Sequence, residues 1–528
     1  ITKETFSLKL AEAKAYSTYK PSVFLKQLSK EQFAYFQEML SQFPGFFPQK
    51  RILREYRYNS AANVIGFIGE ASDQYLADHP SYRKGDLVGK TGIEKSYEEM
   101  LRGHVGIQYR MVDVHNRVKG RFENGQYDTL PKPGEDITCT IDIILQQYGE
   151  RLMNGKRGSV VAIEPSSGEI LALVTSPSYD PNLMVGRDRT KNYSRLYSDS
   201  INKPLYDRAL LAEYPPGSTF KVLGALIGLQ EGVIDANTTY YCRGGFHFGS
   251  LNVKCHCPFG SAISLRNSIS KSCNNYYCQV FKSTIENYPD AHQGMDAWSN
   301  HVKSFGLGKF LNNDLSTGRK GFVPNADYYD RAFRYPNWRA VSTISLGIGQ
   351  GELLVTPVQL ANMAAAVANR GFYYTPHILK KIGGKDISIP DFVKPKYTTV
   401  DPKHFEGVIN GMFDVFELGT ARASRLDSIQ MCGKTGTAEN PHGQDHSIFI
   451  AFAPKDNPKI AIAIIVENGY WGSRWAAPIA SLMIEQYLTG KITRPQLEQK
   501  MFEGTLEDEY RKQFEGEYDK KPAIAAVE

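Results

Sequence analysis

The stretch PPGSTFK, residues 215–221, leads directly into the apolar run VLGALIGLQEG, residues 222–232. Two prolines and a glycine end the preceding element, and the apolar run predicts a buried helix. Ser218 and Lys221 are three residues apart, so on a helix they share one face. Free N–H groups and the helix dipole stabilise negative charge that develops at a helix amino end. The pattern indicates a serine nucleophile, Ser218, whose base is the neutral amine of Lys221.

The Ser-x-x-Lys spacing is weak evidence by itself. The alternative is that Ser218 caps the helix while Lys221 extends to solvent. Only this copy follows a Pro-Pro-Gly break and precedes a long apolar helix, which favours the catalytic interpretation. The spacing occurs five times, starting at Ser17, Ser81, Ser200, Ser218 and Ser268.

A Ser-x-Asn motif, formed by Ser272 and Asn274, follows 54 residues after Ser218 in the segment SISKSCNNYYCQVF. Ser272 is a candidate for relaying a proton to a leaving or attacking amine. The same spacing also starts at Ser200 and Ser250. The motif is therefore informative only through its order after Ser218.

A Lys-Thr-Gly motif begins at Lys434, in MCGKTGTAENPHGQDHSIFIAFAP. The Lys434 ammonium and the hydroxyls of Thr435 and Thr437 could together bind a substrate carboxylate. We assign substrate binding to Thr435, Gly436 and Thr437. The backbone N–H groups of Ser218 and Thr437 are candidates for an oxyanion hole. Three motifs in this order are far more specific than any one of them.

The composition argues against a nucleic-acid partner. The 528 residues carry 62 basic and 56 acidic side chains, a net charge of +6, with no basic block. No run of about 18 apolar residues is present, so no segment is predicted to span a membrane. The chain begins with Ile1 in the middle of a pattern. We therefore expect a piece of a longer protein.

Changes in composition and in the predicted secondary structure divide the chain into three parts. Residues 1–135 mix helical and short extended segments, and an earlier Lys-Thr-Gly at Lys90 reads as a structural turn. In residues 136–490, GSVVAIEPSSGEILALVTS predicts a β-hairpin, and HSIFIAFAP and IAIAIIVEN predict adjacent strands. Residues 491–528, rich in Glu, Lys and Tyr, are predicted to be a solvated tail. An α+β domain behind an N-terminal module is the simplest layout.

The three motifs, with YRKGDLVGKTGIEKSYEEMLRGHVG upstream and LGIGQGELLVTPVQLANMAAAVANRG before the last motif, resemble the class B penicillin-binding proteins, most closely the elongation-type penicillin-binding protein 2 group. The resemblance covers most of residues 55–490. It implies an α+β transpeptidase domain of the penicillin-binding and serine β-lactamase type, an antiparallel sheet flanked by helices. It also implies an elongated pedestal module of the dimerisation type in front of that domain.

The resemblance implies D,D-transpeptidation. Ser218 would attack the D-Ala-D-Ala bond of a peptidoglycan stem peptide, and an amine of a neighbouring stem would resolve the acyl-enzyme; β-lactams would trap Ser218. Catalysis would need no cofactor. The implied partners are a RodA-type glycan polymerase and an MreC-type scaffold. The implied location is the periplasmic face of the bacterial inner membrane, with an anchoring helix upstream of Ile1.

Two other functions stay open at this stage. A serine β-lactamase shares the first and last motifs, but it needs fast water attack, and no carboxylate loop for that role is evident. The middle motif also departs from the Ser-Asp-Asn of class A β-lactamases. A non-crosslinking β-lactam sensor or a wall-binding scaffold is the third possibility, although a scaffold should have lost one of the three motifs.

Seven cysteines are present, and four of them bunch after the first motif with the spacing C-x12-C-x-C-x20-C. We predict that Cys242, Cys255, Cys257 and Cys278 hold a structural zinc. A disulfide from Cys242 to Cys255 or Cys257, natural in an oxidising periplasm, and unrelated free thiols are the alternatives. The other three, predicted to be isolated buried thiols, are Cys139, Cys273 and Cys432.

Overall fold

The computed structural model describes residues 2–16, 22–25, 28, 30–49, 53–115, 117–333 and 337–516. The chain divides into two compact units. The first unit comprises Ile1–Asn59, Gly66–Asp136 and Asp180–Leu196. The second comprises Ser60–Ile65, Ile137–Tyr179 and Tyr197–Glu528. The main boundary lies between Asp136 and Ile137. The sequence does not predict that Ser60–Ile65 belongs to the second unit or that Asp180–Leu196 belongs to the first.

The α-helices are, in chain order, α1 (Lys3–Tyr16), α2 (Lys30–Glu38), α3 (Ala62–Ile65), α4 (Asp73–Asp78), α5 (Gly92–Ser96), α6 (Glu98–Arg102), α7 (Ile143–Leu152), α8 (Arg189–Ser198), α9 (Arg208–Leu211), α10 (Lys221–Gln230), α11 (Leu265–Ser270), α12 (Asn274–Glu286), α13 (Ala291–Ser304), α14 (Ala326–Phe333), α15 (Pro357–Ala368), α16 (Pro390–Val393), α17 (Phe405–Glu417), α18 (Ala476–Thr489), α19 (Pro495–Glu503) and α20 (Glu507–Phe514). Within the residues that the structure describes, none of these helices combines the length and the hydropathy needed to cross a bilayer.

The strands are, in chain order, β1 (Ile68–Glu70), β2 (Leu87–Gly89), β3 (Arg110–Val112), β4 (Val118–Arg121), β5 (Ile137–Cys139), β6 (Gly158–Ile163), β7 (Ile170–Ser176), β8 (Thr239–Cys242), β9 (Gly245–Phe248), β10 (Leu251–Lys254), β11 (Ser261–Ser264), β12 (Phe372–Tyr373), β13 (Leu379–Ile382), β14 (Lys385–Asp386), β15 (Lys396–Tyr397), β16 (Cys432–Ala438), β17 (His446–Ala453) and β18 (Ile460–Val466).

The first unit contains two small antiparallel strand pairs, β1 with β2 and β3 with β4. Lys90 follows β2, and α5 begins at Gly92. Gly66 lies so close to this turn that a Cβ atom on it would stand 1.9 Å from the carbonyl oxygen of Thr91. The upstream Lys-Thr-Gly is therefore a turn between a strand and a helix, as predicted.

A five-stranded antiparallel sheet in the order β16-β17-β18-β6-β7 forms the centre of the second unit. The predicted hairpin is β6 and β7, and the predicted neighbours β17 and β18 are paired along their length. Every residue of β6, β7 and β18 is buried, so helices cover both faces of the sheet. Helix α15 packs on β6 and β18, while α18 packs on β17 and β18. The α+β prediction is confirmed.

Two helix starts in this unit follow from their capping residues. The carboxylate of Asp142 accepts hydrogen bonds from the N–H groups of Ile144 and Leu145, and α7 begins there. At the start of α15 the Thr356 N–H donates to Oε1 of Gln359 at 2.9 Å, with Pro357 as the first helical residue. The sequence thus places both helices on the sheet at defined points.

Residues 495–514 correct the prediction of a solvated tail. Helices α19 and α20 bury Met501 and Tyr510, and Leu506 is buried between the two helices. The Lys156 ammonium donates a hydrogen bond to the carbonyl oxygen of Met501 at 2.7 Å. Three buried residues in a segment otherwise rich in Glu and Lys do not shift its average composition, which is why the prediction was wrong. Residues 517–528 lie outside the described residues.

Candidate active site

Ser218 lies in a 3-10 turn, Gly217–Phe220, that continues into α10, and it is not the capping residue of either helix. Gly217 adopts a left-handed φ of +55°, and its N–H donates to the carbonyl oxygen of Gly349 at 2.8 Å. A Cβ atom on Gly217 would stand 2.4 Å from the carbonyl oxygen of Thr437. The turn that carries Ser218 therefore touches the Lys-Thr-Gly strand directly.

The side chain of Lys221 is 0% exposed, so the alternative in which it extends to solvent is wrong. Its Nζ donates to the carbonyl oxygen of Ser272 at 2.8 Å and to Oδ1 of Asn274 at 2.5 Å, and it lies 3.2 Å from Ser272 Oγ. Burial lowers the pKa of Lys221 to about 8. A neutral amine has two N–H groups and one lone pair. The carbonyl and amide oxygens occupy the two donors, which leaves the lone pair to accept a proton.

Ser272 stands at the junction of α11 and α12 with a left-handed φ of +56°, uncommon for a residue other than glycine. Its Oγ accepts a hydrogen bond from Nζ of Lys434 at 2.8 Å, so one hydroxyl bridges two lysine amines. Burial, and secondly the positive charge of Lys221, hold the pKa of Lys434 well below its usual range. Repulsion between the two ammonium groups favours a state in which one amine is neutral.

The Lys-Thr-Gly strand is β16, at the edge of the central sheet. The Thr435 and Thr420 hydroxyls lie 2.7 Å apart, and the Gln350 side chain donates to the carbonyl oxygen of Thr437 at 3.0 Å. A Cβ atom on Gly436 would stand 2.8 Å from Cγ2 of Thr219 in the Ser218 turn. Gln350 and the neighbouring Gly349 are site residues that the motif analysis did not single out. The glycine-rich stretch LGIGQGELL is the signal that could have found them.

The three motifs thus meet at one place in the second unit. The Ser218 turn packs on β16. Lys221 contacts both Ser272 and Asn274 of the middle motif. Lys434, on β16, donates to the Ser272 hydroxyl. The predicted site residues that the fold brings together are Ser218, Lys221, Ser272, Asn274, Lys434, Thr435, Gly436 and Thr437.

A cluster of four thiols lies directly behind the middle motif. The Sγ atoms of Cys242, Cys255, Cys257 and Cys273 all lie within 4.8 Å of one another. The predicted fourth member, Cys278, does not belong to this cluster. Cys273 is the capping residue of α12, whereas Cys278 is a buried residue further along that helix. All seven cysteines are free thiols in this structure.

The donor set fits a zinc ion. A tetrahedral zinc with four thiolate ligands at about 2.3 Å sets neighbouring sulfurs about 3.8 Å apart, and the Sγ atoms of Cys255 and Cys273 are 3.8 Å apart. The Asn274 N–H donates to the Cys255 sulfur at 3.3 Å, and the Tyr276 N–H donates to the Cys273 sulfur at 3.5 Å. Such donors stabilise the thiolate form that binds metal.

Comparison with known proteins agrees with this geometry. The family model described as penicillin binding protein transpeptidase domain matches residues 158–485. The family model described as penicillin-binding protein dimerisation domain matches residues 1–139. This chain belongs to the penicillin-binding protein transpeptidase family.

Three relatives make the assignment to this family of penicillin-binding proteins more specific. Peptidoglycan D,D-transpeptidase MrdA of Acinetobacter baumannii is 35% identical over 494 residues, which cover 89% of this chain and 71% of that protein. Pseudomonas aeruginosa PBP2 in complex with WCK 5153 is 34% identical with a TM-score of 0.71, covering 83% of this chain and 91% of that chain. A chain of the complex between PBP2 and MreC from Helicobacter pylori is 27% identical with a TM-score of 0.77, covering 93% of each.

These comparisons confirm the resemblance to penicillin-binding protein 2 and the transpeptidase fold behind a dimerisation module. The chain is a peptidoglycan D,D-transpeptidase, an enzyme of peptidoglycan synthesis that catalyses acyl transfer. The comparisons give no support to the β-lactamase or sensor alternatives.

Proposed function

We propose that Ser218 forms the acyl-enzyme of this transpeptidase during cell-wall elongation, with Lys221 as its base. The observation that carries this assignment is the Ser272 hydroxyl, which lies between the amines of Lys221 and Lys434 at 3.2 and 2.8 Å. The Ser272 hydroxyl, which can carry a proton, thus connects the base Lys221 with Lys434 on β16. This arrangement requires no histidine.

Acylation forms a bond between Ser218 Oγ and the carbonyl carbon of the penultimate D-Ala, and it breaks the bond to the nitrogen of the terminal D-Ala. The serine proton passes to the neutral Lys221 amine and, through Ser272, to the departing nitrogen. In the second half-reaction an amine of a neighbouring stem attacks the ester and loses its proton along the same route. The products are the crosslinked stems and free Ser218.

Substrate binding is assigned to the β16 edge. The Lys434 ammonium and the hydroxyls of Thr435 and Thr437 hold the terminal carboxylate of the stem peptide, and the backbone N–H groups of Ser218 and Thr437 stabilise the oxyanion. Burial and Lys221 lower the pKa of Lys434 in the free enzyme, and an arriving carboxylate raises it and thereby favours the charged amine. The same charge keeps Lys221 neutral, so substrate binding prepares the base.

The adduct with benzylpenicillin tests this function. Intact-protein mass spectrometry should show a single adduct per chain, and peptide mapping should place it on Ser218. The adduct should persist for many minutes, because none of the residues proposed for the site carries a carboxylate that could activate water for hydrolysis; loss within seconds would instead identify a β-lactamase. Release of D-Ala from a pentapeptide in the presence of an acceptor amine separates the transpeptidase from a non-crosslinking sensor.

A structural zinc held by Cys242, Cys255, Cys257 and Cys273 forms the second part of the proposal. These four cysteines would hold the zinc between the loops that flank the hairpin β9–β10 and the start of α12. The protein groups that gain from this are those of the middle motif: the Asn274 amide also donates to the carbonyl oxygen of Lys254 at 2.8 Å. Asn274 is thereby kept within reach of Lys221.

Zinc content is expected to distinguish Cys273, the capping residue of α12, from Cys278 within that helix. Purified protein should contain about one zinc per chain, and Cys273→Ala should lose most of it because one of four thiolates is removed. Cys278→Ala is the matched control and should keep its zinc. Metal analysis together with thermal unfolding checks both variants. Metal-free wild-type protein with fewer than seven titratable thiols would support the disulfide alternative instead.

The partners and the location complete the proposal. The relative from Helicobacter pylori was solved as a complex with MreC, and this supports an MreC-type scaffold as a partner of this chain. A RodA-type glycan polymerase as a further partner rests on the resemblance to elongation-type enzymes. Because crosslinking takes place in the cell wall, we place the enzyme at the periplasmic face of the bacterial inner membrane.

A further inference from the structure

The two last helices are bonded to the start of β6 in the central sheet. Lys156 Nζ donates to the carbonyl oxygen of Met501 at the end of α19. The backbone N–H of Arg157 donates to the hydroxyl of Tyr510 at 2.7 Å, and Arg157 Nη2 donates to Oε1 of Gln513 at 2.6 Å. Helix α20 is therefore bonded to the residue that immediately precedes strand β6.

The same face of α20 holds the segment that follows β18. The Tyr510 hydroxyl donates to the carbonyl oxygen of Glu467 at 3.0 Å. The Asn468 side chain donates to Oε1 of Gln513 at 3.3 Å. Two successive residues of this segment are thus bonded to side chains one helical turn apart on α20.

A third bond joins the hydroxyl of Tyr470 to Oε1 of Glu509 at 2.9 Å. Asn468 and Tyr470 both have left-handed backbone conformations, with φ of +53° and +69°. A tyrosine rarely adopts this conformation unless its surroundings impose it. The bonds to α20 supply such a constraint on both residues.

The segment of residues 467–472 in turn contacts the hairpin of β16 and β17. The Asn440 side chain donates to Oδ1 of Asn468 at 2.9 Å, so Asn468 links that hairpin to Gln513 of α20. The hydroxyl of Ser447 donates to the carbonyl oxygen of Trp471 at 2.9 Å. Ser447 is paired with Thr437 in the sheet.

Gly472 brings the segment against the substrate-binding strand itself. A Cβ atom on Gly472 would stand 2.4 Å from the carbonyl oxygen of Ile448 and 2.7 Å from that of Gly436. The backbone of this segment therefore lies in contact with the Lys-Thr-Gly strand. A shift of the segment would move β16 or open a gap beside it.

We propose that α20 is a positioning element for acylation: through Glu509 and Gln513 it fixes residues 467–472, and these fix the β16 edge against Ser218. None of the α20 residues touches the reacting atoms. The inference rests on the role proposed above for residues 434–437. It adds that the C-terminal helix sets the distance between this strand and the nucleophile.

Stopped-flow acylation by a chromogenic cephalosporin tests the proposal with Glu509→Ala and Gln513→Ala in the full chain. Each variant should label to the same stoichiometry as the wild type, but the acylation rate constant should fall about tenfold, because a displacement of about 1 Å can cost about 100-fold and the loss of one bond to α20 should move the strand by less than that. The amplitude reports how much protein is folded, and the rate constant reports the geometry of the site. The two readings separate positioning from simple loss of folded protein.

Two matched controls lie on the same helix. Glu509→Gln keeps an acceptor oxygen for the Tyr470 hydroxyl and should restore a rate constant close to that of the wild type. Arg511 is exposed and pairs with the exposed Asp508 at 3.3 Å, so Arg511→Ala should leave the rate constant unchanged.

Three outcomes overturn the inference. Rate constants of Glu509→Ala and Gln513→Ala within about twofold of the wild type would show that the helix does not set the site geometry. A reduced amplitude at the wild-type rate constant would show a purely structural role. An equal decrease of the acylation rate constant in Arg511→Ala would show that the effect is not specific to the face of α20 that carries Glu509 and Gln513. A wild-type protein that is not acylated at Ser218 would instead contradict the proposed function.

Discussion

Ser218→Ala is expected to abolish labelling by fluorescent penicillin while the fold survives. Alanine has no oxygen to form the ester, and the acylation rate should fall by a factor on the order of 10⁶. Ser218 is half-buried, and its hydroxyl holds no hydrogen bond among the residues that the structure describes. The melting temperature should therefore change by about 2 °C or less. Gel fluorescence and calorimetry measure the two effects.

Ser200→Ala is the matched control for this experiment. Ser200 begins another Ser-x-x-Lys copy and is exposed in the second unit. Its replacement should leave both the labelling rate and the melting temperature at wild-type values. Undiminished labelling of Ser218→Ala would reassign the nucleophile.

Lys221→Met is expected to give the second largest loss, a decrease of about 10³-fold in the acylation rate constant. Methionine fills a similar volume but removes the proton acceptor. It also leaves the Ser272 carbonyl and the Asn274 amide oxygen without their donor, so a lower melting temperature should accompany the loss. Rapid-quench labelling at saturating penicillin separates the rate constant from binding.

The pH profile assigns this loss to proton transfer. The wild-type second-order rate constant, measured at low penicillin concentration and therefore reporting the free enzyme, should rise with pH through the pKa of Lys221, about 8, and then level off, because only the neutral amine accepts the serine proton. Below that pH the amine is protonated and acylation slows. Lys221→Met should lose this rise, whereas Lys271→Met, at an exposed lysine of another Ser-x-x-Lys copy, should keep it. An unchanged profile in Lys221→Met would exclude Lys221 as the base.

The motifs and the sheet could be predicted because their signals are local. A Pro-Pro-Gly break before an apolar helix places Ser218, and uninterrupted apolar runs such as IAIAIIVEN identify strands covered on both faces. The order of the motifs then limits which copies can meet. The contact between Gln350 and Thr437 could not be predicted in this way, because two residues 87 positions apart meet only through the packing of separate elements.

The cysteine cluster shows the same limit at shorter range. The sequence spacing of Cys273 and Cys278 does not reveal which of them faces the β8–β10 loops. Cys273 caps α12, and its sulfur projects from the helix end, whereas Cys278 lies within the helix among buried residues. Similarly, the composition of residues 491–516 reports their exposed majority and conceals the few buried positions such as Tyr510.

The contact of Gly217 with Thr437 and Gly349 constrains how such an enzyme evolves drug resistance. In the proposed mechanism the antibiotic and the natural stem peptide both react with Ser218 Oγ, so a resistant variant has to impair one acylation and spare the other. A side chain at position 217 or 349 would displace the backbone that carries the nucleophile and impair both reactions alike. We therefore expect substitutions that discriminate between a bicyclic drug and a linear peptide to fall at positions other than 217 and 349.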